Sequence, residues 1–391
     1  MNLKQNDAAQ VISSILKHDQ KVNSYKIALL RSINDVVLSF PDLAEHGKDV
    51  AVPLRVLAEY WLSYYWPFMA PETPIYQGPR AQRQGGLTND VAFRPEMKSV
   101  YSEWARMLKS VEPKASDGFF LRNEMRVIRK RKEYSKSFTK AYDSAIKKIT
   151  SAIKMPIRYA GKGEWQIFAS PKKYIEVAAQ AVAIPGTKQN DLCLLVSSDL
   201  WEGFHQLSLY IEALAIHQWS LFLEGVKQDE EGSLARGNIY EILTARPDNR
   251  RPLTWERNRI DVLIMEGQKF QCPWTKKEIT ESGVYDVDHI IPVSVYPINE
   301  MWNLVPSDHE FNSHRKRDRL PGPKALQHAM PIISQTYQTY LLNSELSNAL
   351  LEDSTNRFLR VSSESFSIPE LRNAVQLFVS SVQRARNIAT F

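Results

Sequence analysis

Asp288 and His289 stand side by side in a run that reads Asp286-Val-Asp288-His289-Ile-Ile-Pro292. An imidazole with an ordinary pKa near 6.5 can take a proton from water at neutral pH, so His289 is a candidate general base. Asp288 and, further along, Asn312 supply oxygens suited to a hard cation such as Mg²⁺ or Mn²⁺. Mg²⁺ keeps several of its waters, so two protein oxygens suffice when a substrate supplies others. Base and cation together point to metal-assisted hydrolysis. His309 and His314 flank Asn312 and are alternative ligands. Asp286 either assists at the metal or is a surface carboxylate on a strand.

The elements that must position these groups follow from pattern. A strand is expected over 284–291, a second over 302–306, and a short helix over 310–318. Strand, loop, strand, helix is the layout of a ββα-metal fold. In these residues the chain resembles the HNH, or ββα-metal, nuclease family. Asp288-His289-Ile-Ile-Pro292 carries the first signature, Asn303-Leu-Val-Pro306 the second, and Asn312 followed by Arg315 and Lys316 the third. Asn312 follows Asn303 at the spacing the family uses, and the motif is most similar to the HNH domain of RNA-guided CRISPR nucleases. The resemblance implies an endonuclease that hydrolyses phosphodiester bonds of DNA. It assigns catalysis to His289 and Asn303, the latter holding the loop that orients the base. It assigns the metal to Asp288 and Asn312, and phosphate contact to Arg315 and Lys316. Many HNH proteins also bind a structural zinc through paired Cys-x-x-Cys knuckles. Here Cys272-Pro-Trp-Thr275 keeps only a first cysteine, so no structural zinc is expected and packing by Trp274 and Trp302 must hold the strands.

Outside that segment the charge distribution is informative. Lys and Arg total 50 against 44 Asp and Glu, a net charge of +6. Residues 121–160 hold twelve basic and three acidic side chains, so this stretch carries more than the whole excess. A local basic excess on a near-neutral body points to a polyanion, most often nucleic acid, and the resemblance implies double-stranded DNA. On a helical projection Lys136, Lys140, Lys147 and Lys154 share one face, opposite Phe138, Tyr142, Ala145, Ile149 and Ala152. Arg250, Arg251 and Arg257 lead into the HNH segment and are expected to help seat the nucleic-acid backbone.

Helices are expected over 54–66 and 96–111, with a long loop over 71–95 between them. Trp61, Tyr64, Tyr65 and Trp66 read as core rather than as a base-stacking surface. Short strands are expected over 165–168 and 193–196, then a long helix opened by Asp199 and Glu202 as a capping box. His205 and His217 on that helix read as ordinary structural histidines. The organisation expected is mostly α with an embedded α+β HNH domain: a helical region with a basic DNA-contacting helix at 1–160, a mixed region at 161–248, the HNH domain at 249–322 and a helical region at 323–391.

At 43% hydrophobic and 24% charged, the composition excludes disordered and low-complexity classes. Two cysteines cannot form a disulfide framework, and neither a leader nor a membrane-spanning run is evident, so a cytoplasmic protein is expected. Stand-alone HNH nucleases of this size resemble bacterial restriction and anti-phage defence effectors, which implies other components of a defence system as partners. The alternatives are a catalytically silent nucleic-acid-binding protein on the same fold and a toxin-type nuclease.

Overall fold

The computed structural model describes residues 5–78, 90–109, 111–161, 167–229, 232–245, 253–296 and 298–391. The chain is mostly helical with small sheets, and it divides into two compact units, Met1–Asp248 and Asn249–Phe391.

In the first unit, helix Tyr25–Ser39 packs on helix Ser198–Glu224, and helix Leu54–Tyr65 packs on helix Lys136–Tyr159. Trp61, Tyr64, Tyr65 and Trp66 all lie in this core, as their helical spacing implied. The Trp61 ring meets Phe93, Tyr64 meets Trp219, Tyr65 lies 5.0 Å from Phe93 and 5.2 Å from Trp219, and Trp66 lies 5.0 Å from Tyr101. The helix expected at 96–111 runs Arg94–Leu108 instead. The earlier start has a physical cause. Pro95 suits the first turn, and buried Arg94 ties the preceding loop by donating to Phe68 O and Ile75 O, both at 2.8 Å. Pro79, Gly85 and Gly86 of that loop lie outside the described residues. A four-stranded sheet runs in the order Lys172–Lys173, Leu192–Val196, Asp49–Pro53, Ala181–Ala183, with only the last pair parallel. The strand expected over 165–168 does not form in its described part, Ile167 and Phe168, while Trp165 and Gln166 lie outside it.

The long helix over 198–224 is capped differently from the expectation. Ser197, not Asp199, is its cap, its hydroxyl accepting from Leu200 N at 3.4 Å. Asp199 sits in the first turn, where its charge complements the helix dipole. His205 is half-buried and His217 exposed on this helix.

The second unit shares one apolar core between the two strands of the HNH segment and three helices beyond it, Pro323–Tyr340, Ser344–Arg357 and Ile368–Arg386. Strand Tyr285–His289 pairs antiparallel with strand Leu304–Asp308, His289 opposite Leu304. The helices anchor the turn entering the second strand. Tyr340 hydroxyl donates to Leu304 O at 3.0 Å, Tyr337 hydroxyl to Trp302 O, and Met301 N to the Asp353 carboxylate at 2.8 Å. Trp302 is wholly buried, its ring edge-on to Phe358 at 5.0 Å and Phe378 at 5.5 Å. After Leu304–Asp308 the chain forms a wide π-helical turn over Phe311–Lys316, closed by Arg317 N donating to Asn312 O at 3.0 Å. The last residues return to this region. Leu320 N donates to Ala389 O, and Phe391 N donates back to Leu320 O, each at 3.0 Å. The Phe391 ring lies 5.3 Å from Trp274 and 5.4 Å from Phe311.

Candidate active site

Period-two alternation puts Asp286 and Asp288 on one face of strand Tyr285–His289, with His289 at its end. Beyond His289 the ladder continues through Ile290 N, which donates to Asn303 O at 2.7 Å. Asn303 is wholly buried, and its side chain closes on one residue's backbone. Its oxygen accepts from Ile291 N at 2.8 Å, and its amide donates to Ile291 O at 3.1 Å. Asn303 thus fixes the backbone two residues past His289.

His289 Nε2 lies 2.8 Å from Asn299 Oδ1. An oxygen acceptor there places the proton on Nε2 and leaves the Nδ1 lone pair free. Burial is the largest influence on the imidazole and holds its pKa below the ordinary value. The Asn299 bond and the Asp288 charge pull it up, and the nearby Lys316 charge pushes it down. The net effect is a neutral imidazole at neutral pH, with one free nitrogen.

Asp288 is enclosed, its side chain 5% exposed. Oδ1 accepts from Lys316 Nζ at 2.7 Å, and Oδ2 accepts from the Trp274 indole at 3.0 Å. Lys316 is 1% exposed, and also donates to His289 O. Arg315 is exposed. The wide π turn explains the difference, because it rotates Lys316 inward and leaves Arg315 facing solvent.

Asn312 stands by Asp286, donating to its Oδ2 at 3.0 Å. His309 Nδ1 is 3.1 Å from each Asp286 oxygen. His314 is exposed on the same turn. The structure therefore brings Asp288, His289 and Lys316 together, and Asn312 with Asp286 and His309. Among the described residues no three His, Cys, Asp or Glu side chains converge as a metal cage, so a cation here must also use amide, water or phosphate oxygen. That donor set suits a hard divalent ion that keeps part of its hydration shell.

Cys272 is buried, and its thiol lies 3.5 Å from the Ser307 hydroxyl. Trp274 reaches Asp288 as well as packing on Phe391. Of the basic lead-in, Arg250 and Arg251 lie outside the described residues. Arg257 donates to Tyr285 O at 3.0 Å and lies against the Tyr285 ring. It braces the strand from within the unit.

In the first unit, helix Lys136–Tyr159 opens at Ser135, whose hydroxyl accepts from Phe138 N at 3.2 Å. Phe138, Tyr142, Ala145, Ile149 and Ala152 are buried, and Lys136, Lys140, Lys147 and Lys154 are exposed. Among the described residues none of these four lysines forms an ion pair. Acidic neighbours instead serve the residues before the helix, with Arg131 paired to Asp143 at 2.5 Å and Lys130 to Glu124 at 3.4 Å.

Asn299 was not foreseen. It lies in a loop without periodicity, and no residue spacing marks it as the neighbour of His289. The inward turn of Lys316 was equally hidden, because an α-helical reading gives no reason to bury it.

No helix among the described residues is long and apolar enough to cross a membrane. A family model described as HNH endonuclease matches residues 272–322, so the segment carrying Asp288, His289, Asn303 and Asn312 is an HNH-family domain. A second family model, described as a domain of unknown function (DUF8808), matches residues 5–243. No curated protein and no solved structure matches the chain. The match over 5–243 covers more than half of the chain, which therefore belongs to the DUF8808 family, with an HNH domain following it.

Proposed function

We propose that this protein is a metal-dependent endonuclease that hydrolyses phosphodiester bonds of DNA at the HNH site. The observation that carries the reading is His289. It is neutral by burial, bound at Nε2 by Asn299, and free at Nδ1, with the Lys316 ammonium on its own carbonyl. His289 takes the proton of the attacking water at Nδ1. Asn303 holds the Ile291 backbone, so the ring cannot drift with its loop. Asn312 and a carboxylate of the His289 strand would hold a divalent ion, which when bound would supply polarisation of the scissile phosphate and offset charge on the departing oxygen. Lys316 neutralises Asp288, which removes a buried negative charge from the approach of a phosphate. Arg315 is exposed and free to meet the nucleic-acid backbone. Incubation of supercoiled plasmid with Mg²⁺ or Mn²⁺, with and without chelator, tests the assignment. Absence of metal-dependent cutting would leave the silent nucleic-acid-binding reading in its place. Restriction or anti-phage defence is the setting proposed for such an activity, on the resemblance noted above. A plaque assay with and without the protein reads it.

The order of products should be informative. The segment carries one base and one Asn303/Asn312 pair, hence machinery for one phosphodiester at a time. Two antiparallel strands need a second site related by two-fold symmetry, or a second encounter. Open circles should accumulate before linear product appears. Linear product without that intermediate, from protein that sediments as a monomer, would defeat the one-site argument.

The exposed lysine face of helix Lys136–Tyr159 is proposed to hold DNA phosphates. Reversal of Lys136, Lys140, Lys147 and Lys154 to glutamate should weaken DNA binding and flatten its salt dependence. The slope of log affinity against log salt should fall by about 0.9 for every phosphate these lysines neutralise. The buried side of the helix is untouched, so thermal unfolding should change little. An unchanged salt slope would make the stripe an ordinary solvated surface.

A further inference from the structure

Helix Ser198–Glu224 lays Ile211, Ala215, Trp219 and Leu223 into the core of the first unit and leaves its opposite side in solvent. On that side Gln206, Leu209, Tyr210, Ala213 and His217 are exposed, Leu209 by 50% and Tyr210 by 75%. Gln206, Tyr210, Ala213 and His217 follow one another in steps of four, three and four residues, the spacing of a seam between two helices. Over residues 206–221 the one Asp, Glu, Lys or Arg is Glu212, which lies about 120° round the helix from that seam. In a chain that is 24% charged, an uncharged exposed stripe with a tyrosine at its middle has the composition of an interface centre.

The order of the residues says which partner fits. Two copies of this helix laid antiparallel about a two-fold axis pair residues equidistant from a point between Ile211 and Glu212. Tyr210 then meets the partner's Ala213, large against small, which lets the two helix axes approach closely. Leu209 meets the partner's Leu214, which is half-buried against the core of its own unit, apolar against apolar. Gln206 meets the partner's His217, amide against imidazole, two groups able to hydrogen-bond. Symmetry makes each match twice, and no like charges oppose within the seam. A parallel pair in register would instead stack tyrosine on tyrosine and histidine on histidine.

We propose that this face binds a second copy of the chain as an antiparallel, two-fold helix pair. The inference is independent of the endonuclease reading. A stripe of this length buries less than the roughly 800 Å² per partner of a standard interface, so half-association is expected on the order of tens of micromolar. Protein far more dilute than that, as in plasmid cleavage, acts as a monomer.

Sedimentation of the full chain tests the pairing. It should be monomeric near about 1 µM and show a growing dimer fraction toward about 200 µM. Tyr210→Ala should weaken association at least tenfold. Ala213→Glu brings two carboxylates to the crossing point at a position where glutamate suits the helix, and should remove the dimer. Cross-linking reads the register, since a disulfide needs Cα atoms within about 7 Å. Chains carrying Gln206→Cys and chains carrying His217→Cys, mixed and oxidised, should join to each other. Gln206→Cys alone should not couple to itself, because its two copies stand about 16 Å apart along the axes. The native Cys193 and Cys272 are buried and stay out of the reaction. A chain that remains monomeric throughout, a dimer indifferent to Ala213→Glu, or ready self-coupling of Gln206→Cys would overturn the proposal.

Discussion

His289→Ala should lower plasmid cleavage by about 10²–10⁴-fold, the range a positioned general base contributes, while DNA affinity stays within a few-fold of wild type. The asymmetry follows from where the imidazole acts. In the proposed mechanism its Nδ1 takes a proton in the chemical step and contributes little to holding the substrate in the ground state. The pH profile of the parent should carry the same signature. Only the neutral ring can accept a proton, and burial holds its pKa below the ordinary value near 6.5. Cleavage should therefore rise with pH along an acid limb centred below 6.5, and be near its plateau at pH 7. Brisk cutting by His289→Ala would remove this residue from the mechanism. An acid limb centred above 6.5 would contradict the buried, neutral ring.

Lys316→Met should destabilise the second unit by about 3–5 kcal/mol, the usual cost of stranding one member of a buried ion pair. Among the described residues Asp288 would then keep the Trp274 indole as its hydrogen-bond donor, at 5% exposure and without the Lys316 charge. The double variant Asp288→Asn/Lys316→Met should recover most of the loss, because no charge then remains to desolvate. Urea unfolding followed by tryptophan fluorescence reads both, since Trp302 sits in the same core. A single-variant loss under about 1 kcal/mol would mean that water or a moved side chain solvates Asp288, and that the pair is weaker than its geometry implies.

The contrast between Asp288 and Asp286 shows what could be read from residues alone. Periodicity was enough for the amphipathic helices. The buried stripe Phe138, Tyr142, Ala145, Ile149 and the lysine face opposite it follow directly from 3.6-residue spacing. Alternation placed the strand within two residues, Tyr285–His289 against an expected 284–291. The second strand came two residues later than its pattern suggested, at Leu304–Asp308, because Met301–Asn303 form a tight helical turn first. Residue spacing could not show which neighbours each carboxylate would have. Those neighbours come from a π turn that buries Lys316, from an aperiodic loop that delivers Asn299, and from Trp274 across a tight turn. Each is a tertiary contact between segments whose separation carries no period. The cap of the long helix shows the same limit on a small scale. Ser197 and Asp199 are both good caps by type, and the strand ending at Val196 selects the nearer one.

Phe391 touches Trp274, the donor to Asp288, and Phe311, the neighbour of Asn312, while its backbone is stitched to Leu320 and Gly322. The HNH motif is thus bracketed from a point far outside its own fifty-odd residues. Anyone wishing to transplant this HNH domain into another protein would have to carry the three following helices and Phe391 with it. A graft of 272–322 alone would leave Trp302 without the rings of Phe358 and Phe378, and the Leu304 carbonyl without Tyr340.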